Sequence, residues 1–412
     1  MKKIPLHFQI LIAMVLGGVL SSMFKSSLSP QSYGKYIEYV GILGDLFLRA
    51  LKMAIVPLVM SSVMSGIINI GKSENIGRLT AKTMTWYFST SILAIITGMF
   101  FVNLIQPGVG ADIGLAEAVD KVQPATLSFR ETIVRIIPTN ILTALTEPNM
   151  LGIIFFSITF ALFLTKVDTP LSEPIINGIN GVFETMMKMV MWFIKFSPLG
   201  IFSIISLQVA KTDDILGLLH RLGIYGLTVL CGLIVHMFIT LPLLMWIVGR
   251  VNPVRHFRNM SFPLLTAFST SSSAATLPLT MDALVNKAKV SPRVTNFVIP
   301  VGSTLNMDGT ALYECVAVMF IAQAYGRHLG IEQQLIVVFT ALLATTGAAA
   351  IPMAGLFMMS IILTAVGLPL EGVGLILAID RILDMCRTTV NTWSDTCGTV
   401  AIAKTEKEEL NC

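Results

Sequence analysis

Long apolar tracts recur along the chain at about 5 to 24, 42 to 70, 85 to 105, 149 to 166, 183 to 209 and 221 to 248. Each is close to the roughly 20 residues that an α-helix needs to cross a bilayer. The pattern predicts plain membrane-spanning helices over the first 250 residues. Beyond that point the apolar runs continue, but polar clusters interrupt them: STSSSAATLP at 269–278, STLNMDGT at 303–310, ATTGAAAIPMAG at 344–355 and DRILDMCRTTVNTWSD at 380–395. Non-helical or polar backbone is tolerated at membrane depth only where it is buried in protein or lines a watery cavity. The chain therefore reads as an apolar framework and a polar functional core, with WYFSTS at 86–91 a candidate for that core.

The arms flanking the serine cluster are short, about 8 to 12 residues each, and meet at a polar tip that ends in Leu277-Pro278. This predicts a re-entrant hairpin. A second interrupted stretch spans 331–367, broken around Gly347, Pro352 and Gly355. Paired interrupted segments are the sequence pointer to a transporter's binding site. The alternative is that each is an ordinary kinked helix.

The stretch from Asp380 to Asp395 places Asp380, Asp384, Arg387, Thr388, Asn391 and Asp395 at steps of 4, 3, 1, 3 and 4. At 3.6 residues per turn these share an arc of roughly 100°. Ionisable groups inside a membrane face a cavity and mark a substrate or ion path. Asp384 and Arg387, three residues apart, can also simply neutralise one another, which leaves Asp380, Asn391 and Asp395 unexplained. Arg381 points off this face, and a structural role for it stands beside a functional one.

Composition agrees with the pattern: 54% of the 412 residues are hydrophobic and 13% charged, with a mean hydropathy of +0.78. Soluble domains carry about a quarter charged residues. Lys2 and Lys3 precede the first tract and no A-x-A cleavage pattern follows it, so it reads as a retained helix with a cytoplasmic N-terminus. Lys72, Arg78, Lys82, Lys166, Arg250, Arg255 and Arg258 then fall on the cytoplasmic side, as the positive-inside rule requires. The net charge of +4 offers no footprint for nucleic acid. Cys231, Cys315, Cys386, Cys397 and Cys412 show no C-x-x-C spacing and read as buried free thiols. His7, His220, His236, His256 and His328 are scattered, are expected at loops or helix ends, and offer no metal cluster. No Ser-His-Asp set or phosphate-cradling loop appears, so the chain is not read as an enzyme.

Chemically, a planar guanidinium such as Arg387 suits a carboxylate, and Asp384 one turn away suits an ammonium group. Amides and hydroxyls at Ser271, Ser272 and Ser273, with Asn391, can hold a second carboxylate, because half-helix ends direct positive dipole at anions. The substrate suggested is an acidic amino acid. Asp308 and Asp395, with Asn306, Asn391, Thr304 and Thr310, present only oxygen ligands, which hard cations prefer.

With these motifs in order, the chain resembles the dicarboxylate/amino acid:cation symporter family, which includes the excitatory amino acid transporters. The resemblance rests on STSSSAATLP, N-M-D-G-T at 306–310, GAAAIPMAG and D-x3-D-x2-R-T-x2-N-x3-D at 380–395, and the helix pattern extends it to nearly the whole chain. It implies an all-α polytopic membrane protein with eight transmembrane helices and two re-entrant helical hairpins, assembled as a homotrimer in the cell (inner) membrane. It further implies a scaffold of residues 1–76 and 111–212 against which a transport domain, 77–110 and 213–412, moves as an elevator.

Carried over by position, the family's substrate contacts fall on Ser271, Ser273, Thr310, Ile351, Gly355, Asp384, Arg387, Thr388 and Asn391. Up to three sodium sites are implied. One uses Asn391 and Asp395 with backbone near Gly302 and Asn306. A second uses backbone at Thr304, Thr345, Thr346 and Ala348 near Met307, and the third uses Tyr87, Thr90, Ser91, Asn306 and Asp308. The family's additional arginine, found at the position of Ser271 or of Met385, is absent here, with Arg381 one turn away. Glu314 stands where proton-coupled members have glutamate. A carboxyl in an apolar helix is costly to ionise, which makes Glu314 the candidate proton carrier; the alternative is a structural neutral acid. The reading is a sodium-driven symporter for glutamate and/or aspartate, with protons as a second candidate coupling ion. Its alternatives are a proton-coupled C4-dicarboxylate carrier, a neutral amino acid carrier and an anion channel.

Overall fold

The computed structural model describes residues 6–71, 77–110, 129–146, 149–211, 215–345, 354–369 and 372–412, and among them every regular element is a helix. Five helices are long and apolar enough to cross a membrane: Phe8–Ser27, Pro30–Ile68, Gly77–Ile105, Leu219–Gly249 and Pro292–Ala324. Thr169–Ile194 and Ser197–Ala210 make a sixth if taken as one span bent by 53°. The chain is therefore an all-helical, multi-pass membrane protein.

Three boundaries differ from the expectation. The tract at 42–70 belongs to a helix that starts at Pro30. Apolar counting misses its first turns because Lys35 and Glu38 interrupt the pattern without interrupting the backbone. The tract at 183–209 is not one helix. It breaks at Lys195 and Phe196, whose amides bond only three residues back, to Trp192 and Phe193, just before Pro198, whose ring cannot continue an α-helical ladder. The arms of the first hairpin are 18 and 14 residues, Pro253–Thr270 and Ser273–Asn286, longer than their apolar runs. Asn252 starts the first arm earlier by accepting from the amides of Val254 at 3.0 Å and Arg255 at 3.1 Å, with Pro253 preset for a first helical turn.

Two packing groups emerge. Leu6–Ser27 and Pro30–Gly71 pack against Ser197–Lys211, and Pro30–Gly71 also packs against Thr169–Ile194 and Met150–Leu164. Small residues let these backbones approach: the Gly44 amide donates to Ser203 Oγ at 2.9 Å, and Ser21 Oγ donates to the Ser206 carbonyl at 2.8 Å. In the second group, Gly77–Ile105 skips its chain neighbours and packs on Asp308–Ala324, a helix whose every residue is buried. Ile215–Val235, Leu241–Gly249, the first hairpin and the long C-terminal helix Val373–Thr405 complete this group. The C-terminal helix thus extends well beyond both ends of the polar face at 380–395.

Both interrupted regions fold back on themselves. Ser273–Asn286 packs on Pro253–Thr270, and Ala354–Ala365 packs on Ile331–Thr345. The second tip, with the candidates Thr346, Ala348 and Ile351, lies outside the described residues. Of the cysteines, Cys315 and Cys397 are buried while Cys231, Cys386 and Cys412 are only partly so, and all are free. His236, expected at a loop or helix end, lies wholly buried inside the Leu219–Gly249 span.

Candidate functional site

The N-M-D motif is where the span Pro292–Ala324 comes apart. Helix Pro292–Leu305 ends at Asn306 (φ −110°, ψ 81°) and Asp308–Ala324 begins after Met307 (φ −114°, ψ 61°). Two non-helical residues at this depth free backbone groups that the surroundings must satisfy. Asn391 does part of this: its side-chain oxygen accepts from the amides of Gly309 at 2.8 Å and Thr310 at 3.3 Å, and its Nδ2 donates to Thr310 Oγ1 at 3.0 Å.

Side chains from Gly77–Ile105, from Leu219–Gly249 and from the same C-terminal helix as Asn391 converge on the break. Thr90 Oγ1 donates to Asn306 Oδ1 at 3.3 Å, and Ser91 Oγ donates to Asp308 Oδ1 at 2.7 Å. Asn306 Nδ2 donates to Asp395 Oδ1 at 2.9 Å and to Ser394 Oγ at 3.0 Å. Ser394 Oγ in turn donates to Asp308 Oδ2 at 2.5 Å, and His236 Nε2 lies 3.2 Å from that same oxygen. Gly302 is where the chain comes closest: a Cβ there would collide with Asp395 Oδ1 and stand 2.5 Å from the Tyr87 hydroxyl. Asp308 is fully buried and Asp395 nearly so, and among the described residues no lysine or arginine is paired with either. Two buried carboxylates without a lysine or arginine partner, ringed by amide and hydroxyl oxygens, fit a hard cation.

Of the proposed ion-site residues, the structure therefore joins Thr90, Ser91, Asn306, Asp308 and Asp395, with Gly302 alongside. Tyr87 donates its hydroxyl to the Val298 carbonyl at 2.7 Å rather than to an acid. Thr304 bonds the Val301 carbonyl within its own helix at 3.0 Å, and Met307 is buried at the break. Thr345 closes its helix by bonding Ala341 and Leu342 carbonyls, each at 3.0 Å. It shares with Tyr87, Ser91, Leu305, Ile67 and Ile158 the lining of a cavity of about 170 Å³. Sequence reasoning missed His236 and Ser394. The i, i+3 spacing of Ser394 from Asn391 was a usable signal; for His236 there was none.

Two turns toward the N-terminal end of Val373–Thr405 lies an ionic cluster. Arg387, only 2% exposed, donates from Nη2 to Asp384 Oδ1 at 2.5 Å and has Nη1 3.8 Å from Asp380 Oδ1. Tyr313 places its ring 4.3 Å under the guanidinium, a cation–π contact, and donates its hydroxyl to Asp380 at 2.6 Å. Asp380, unexplained by the mutual-neutralisation reading, is thus an anchor for both Tyr313 and Arg387. Arg381 Nη1 approaches the second oxygen of Asp384 at 3.6 Å. Gly355, from the second hairpin, lies so close to the guanidinium that a Cβ would meet Nη1. Nη1 has no hydrogen-bond acceptor within reach among the described residues.

Thr388 is buried beside this cluster. The serine tip behaves as a helix junction: Ser271 adopts a left-handed conformation (φ +50°) and Ser272 accepts from the Ala275 amide at 3.3 Å, capping the second arm. Ser271 Oγ is buried and unpartnered among the described residues, and Ser273 is half-buried. The hairpin packs on the C-terminal helix, but no hydrogen bond joins Ser271 to Arg387 or Asp384. Glu314 is wholly buried with both carboxyl oxygens unpartnered among the described residues.

Known proteins carry the same pattern. Residues 6–405 match the family model described as the sodium:dicarboxylate symporter family. The chain is 35% identical over 448 residues to excitatory amino acid transporter 3 of Mus musculus, covering 97% of this chain and 85% of that protein. It is 32% identical over 422 residues to the proton/glutamate-aspartate symporter of Escherichia coli, covering 98% and 93%. An excitatory amino acid transporter of Caenorhabditis elegans is 34% identical over 444 residues, covering 97% and 87%. With the full span of the chain matched and the motif residues meeting at one break and one ionic cluster, this protein belongs to the sodium:dicarboxylate symporter family.

Proposed function

We propose that the protein takes up glutamate and/or aspartate across the cell membrane, driven by sodium and with a proton as a second coupling ion. The observation that carries this reading is the buried Arg387, whose Nη2 is held by Asp384 while Nη1 lacks a hydrogen-bond acceptor among the described residues. A substrate carboxylate supplies that acceptor, in the planar two-donor geometry for which guanidinium is suited. Asp384, on releasing Arg387, can accept from the substrate's ammonium group. Thr388, Thr310, Asn391 and the backbone of the two hairpin tips, Ser271, Ser273, Ile351 and Gly355, are assigned to the remaining polar groups.

Asp308 and Asp395, with Asn306, Asn391, Ser91, Thr90 and Tyr87, are assigned to bound sodium, and Thr304, Met307, Thr345, Thr346 and Ala348 to a further ion by backbone. A bound cation neutralises two carboxylates that are otherwise costly to bury. Because Asn391 caps the broken helix while sharing a helix with Asp395 and Arg387, ordering at the break is felt at the substrate cluster. Coupling of this kind is reciprocal. Glu314, without a hydrogen-bond partner, is assigned the proton.

The two packing groups suit a scaffold (1–76, 111–212) and a moving transport domain (77–110, 213–412), arranged as eight spanning helices and two hairpins in a homotrimer, with a cytoplasmic N-terminus. One observation favours a second reading: Asp384 is already bonded to Arg387, so a C4-dicarboxylate without an amine would need only the guanidinium. Uptake of radiolabelled aspartate, glutamate, succinate and serine into proteoliposomes, with and without a sodium gradient, separates them. Sodium-driven aspartate or glutamate uptake with little succinate uptake is expected; succinate uptake that exceeds both overturns the amino acid assignment.

A further inference from the structure

The helix Leu219–Gly249 is not α-helical throughout. Its centre, His236–Thr240, is a π-turn, in which the amide of Leu241 donates five residues back to the His236 carbonyl. Such turns are rare and occur mostly as single-turn bulges inside α-helices, frequently at functional sites. Here the turn carries a wholly buried imidazole, with Nε2 3.2 Å from Asp308 Oδ2. The turn is also held from outside: Trp393 donates its indole Nε1 to the Met237 carbonyl at 2.9 Å. The next residue, Ser394, donates to the same carboxylate oxygen that His236 reaches. One short segment of the C-terminal helix therefore fixes both the π-turn and the carboxylate.

We propose that His236 is a positioning residue for the coupling cation: it donates from Nε2 to Asp308 and holds the carboxylate in the orientation that accepts the ion. The proposal rests on the reading above that Asp308 belongs to a sodium site. Asp308 receives hydroxyl protons from Ser91 at Oδ1 and Ser394 at Oδ2, so the third contact is an acceptor facing Nε2 and selects the tautomer with its proton there. That leaves Nδ1 a lone pair, and Nδ1 is buried without a partner among the described residues. Buried polar groups are nearly always paired, and Nε2 is the one nitrogen of this ring with a partner among the described residues. The cost accepted at Nδ1 points to a use for Nε2. A lysine or arginine in this place would cancel the carboxylate's charge and compete with the cation. An imidazole N–H orients the acid as outer hydrogen bonds do around metal ligands generally.

The test uses purified full-length protein in detergent without substrate, its melting temperature followed as sodium replaces choline at constant ionic strength. Three variants are compared. His236→Gln returns an N–H donor near the Nε2 position, His236→Asn places its donor near Nδ1, and His236→Ala has none. Wild type is expected to be stabilised by sodium with a defined midpoint. His236→Ala and His236→Asn should raise that midpoint by about tenfold or more, and His236→Gln should stay near wild type. If the alanine variant does not fold, the Gln and Asn pair makes the same contrast. Equal sodium midpoints in wild type and His236→Asn, with only the sodium-free melting temperature lowered, reduce His236 to a packing residue and overturn the proposal. So does a His236→Gln midpoint displaced as far as that of His236→Asn. Absence of any sodium response in wild type instead removes the sodium reading of Asp308, and the positioning role with it.

Discussion

Arg387 and Asp384 face each other at 2.5 Å, so each is the other's partner until a substrate separates them. Removing the guanidinium takes away the carboxylate's receptor and leaves Asp380 and Asp384 buried without it. Arg387→Cys is accordingly expected to weaken aspartate or glutamate binding by about 2–5 kcal/mol, while serine binding is retained or gained. Equilibrium binding at saturating sodium checks this, and unchanged aspartate affinity refutes the role. Asp384→Asn keeps the shape and removes the charge that receives an ammonium group. It should cost an amino acid far more than an amine-free dicarboxylate in competition assays, and equal losses would make Asp384 only the counter-ion of Arg387. Glu314 has no acceptor or donor to hold it among the described residues. Glu314→Gln, a permanent mimic of the protonated acid, should leave sodium-dependent exchange intact and abolish the pH dependence of net transport. A pH dependence that survives the substitution places the proton elsewhere.

Among the elements, the C-terminal helix was the most legible in sequence. Its polar residues share one face by spacing alone, and all six of them are buried. The serine tip was legible as a junction, and the polar N-M-D motif as an interruption. What spacing could not show were contacts between distant elements: Tyr313 to Asp380 is 67 residues apart and His236 to Asp308 is 72. Helix ends were also obscured where polar residues continue a helix, as at Lys35, or where a bend falls inside an apolar run, as at Phe196. The broken helix makes its own prediction at Gly302. Gly302→Ala introduces a Cβ against Asp395 and Tyr87, an overpacking worth about 1–3 kcal/mol. The loss should appear as a raised sodium requirement in binding assays, and an unchanged requirement would mean that Asp395 has room to spare. At the helix's far end, past Thr405, hydrogen bonds from Lys82 and Arg78, each at 2.6 Å, hold the Glu406 carboxyl down to about 2 from the ordinary 4.5. A depressed acid contributes stability above its unfolded value. This strap is therefore complete above about pH 4.5 and lost as pH falls through about 2. Being at the surface, it is worth less than about 1 kcal/mol, and Glu406→Gln should lower the melting temperature slightly at neutral pH and not at all below pH 2.

At the scale of the whole molecule, the helix Val373–Thr405 carries the residues proposed to meet the substrate, at Arg387, and the ion, at Asp395, eight residues and little more than two turns apart. Asn391 sits between them and ties both to the broken helix through Gly309 and Thr310. In the proposed reading this closeness is the physical basis for coupling, since an ion that orders the break would also order the residues assigned to the substrate. The central claim is that two buried carboxylates, Asp308 and Asp395, become compatible with a loaded site only when a cation joins them. The most direct measurement is the affinity of purified wild-type protein for aspartate and glutamate across a sodium titration at constant ionic strength and pH. The account predicts affinity that climbs steeply with sodium and is nearly absent without it, with sodium's own affinity raised by the same factor when substrate is present. Affinity for both amino acids that is flat from sodium-free to sodium-rich buffer would contradict it.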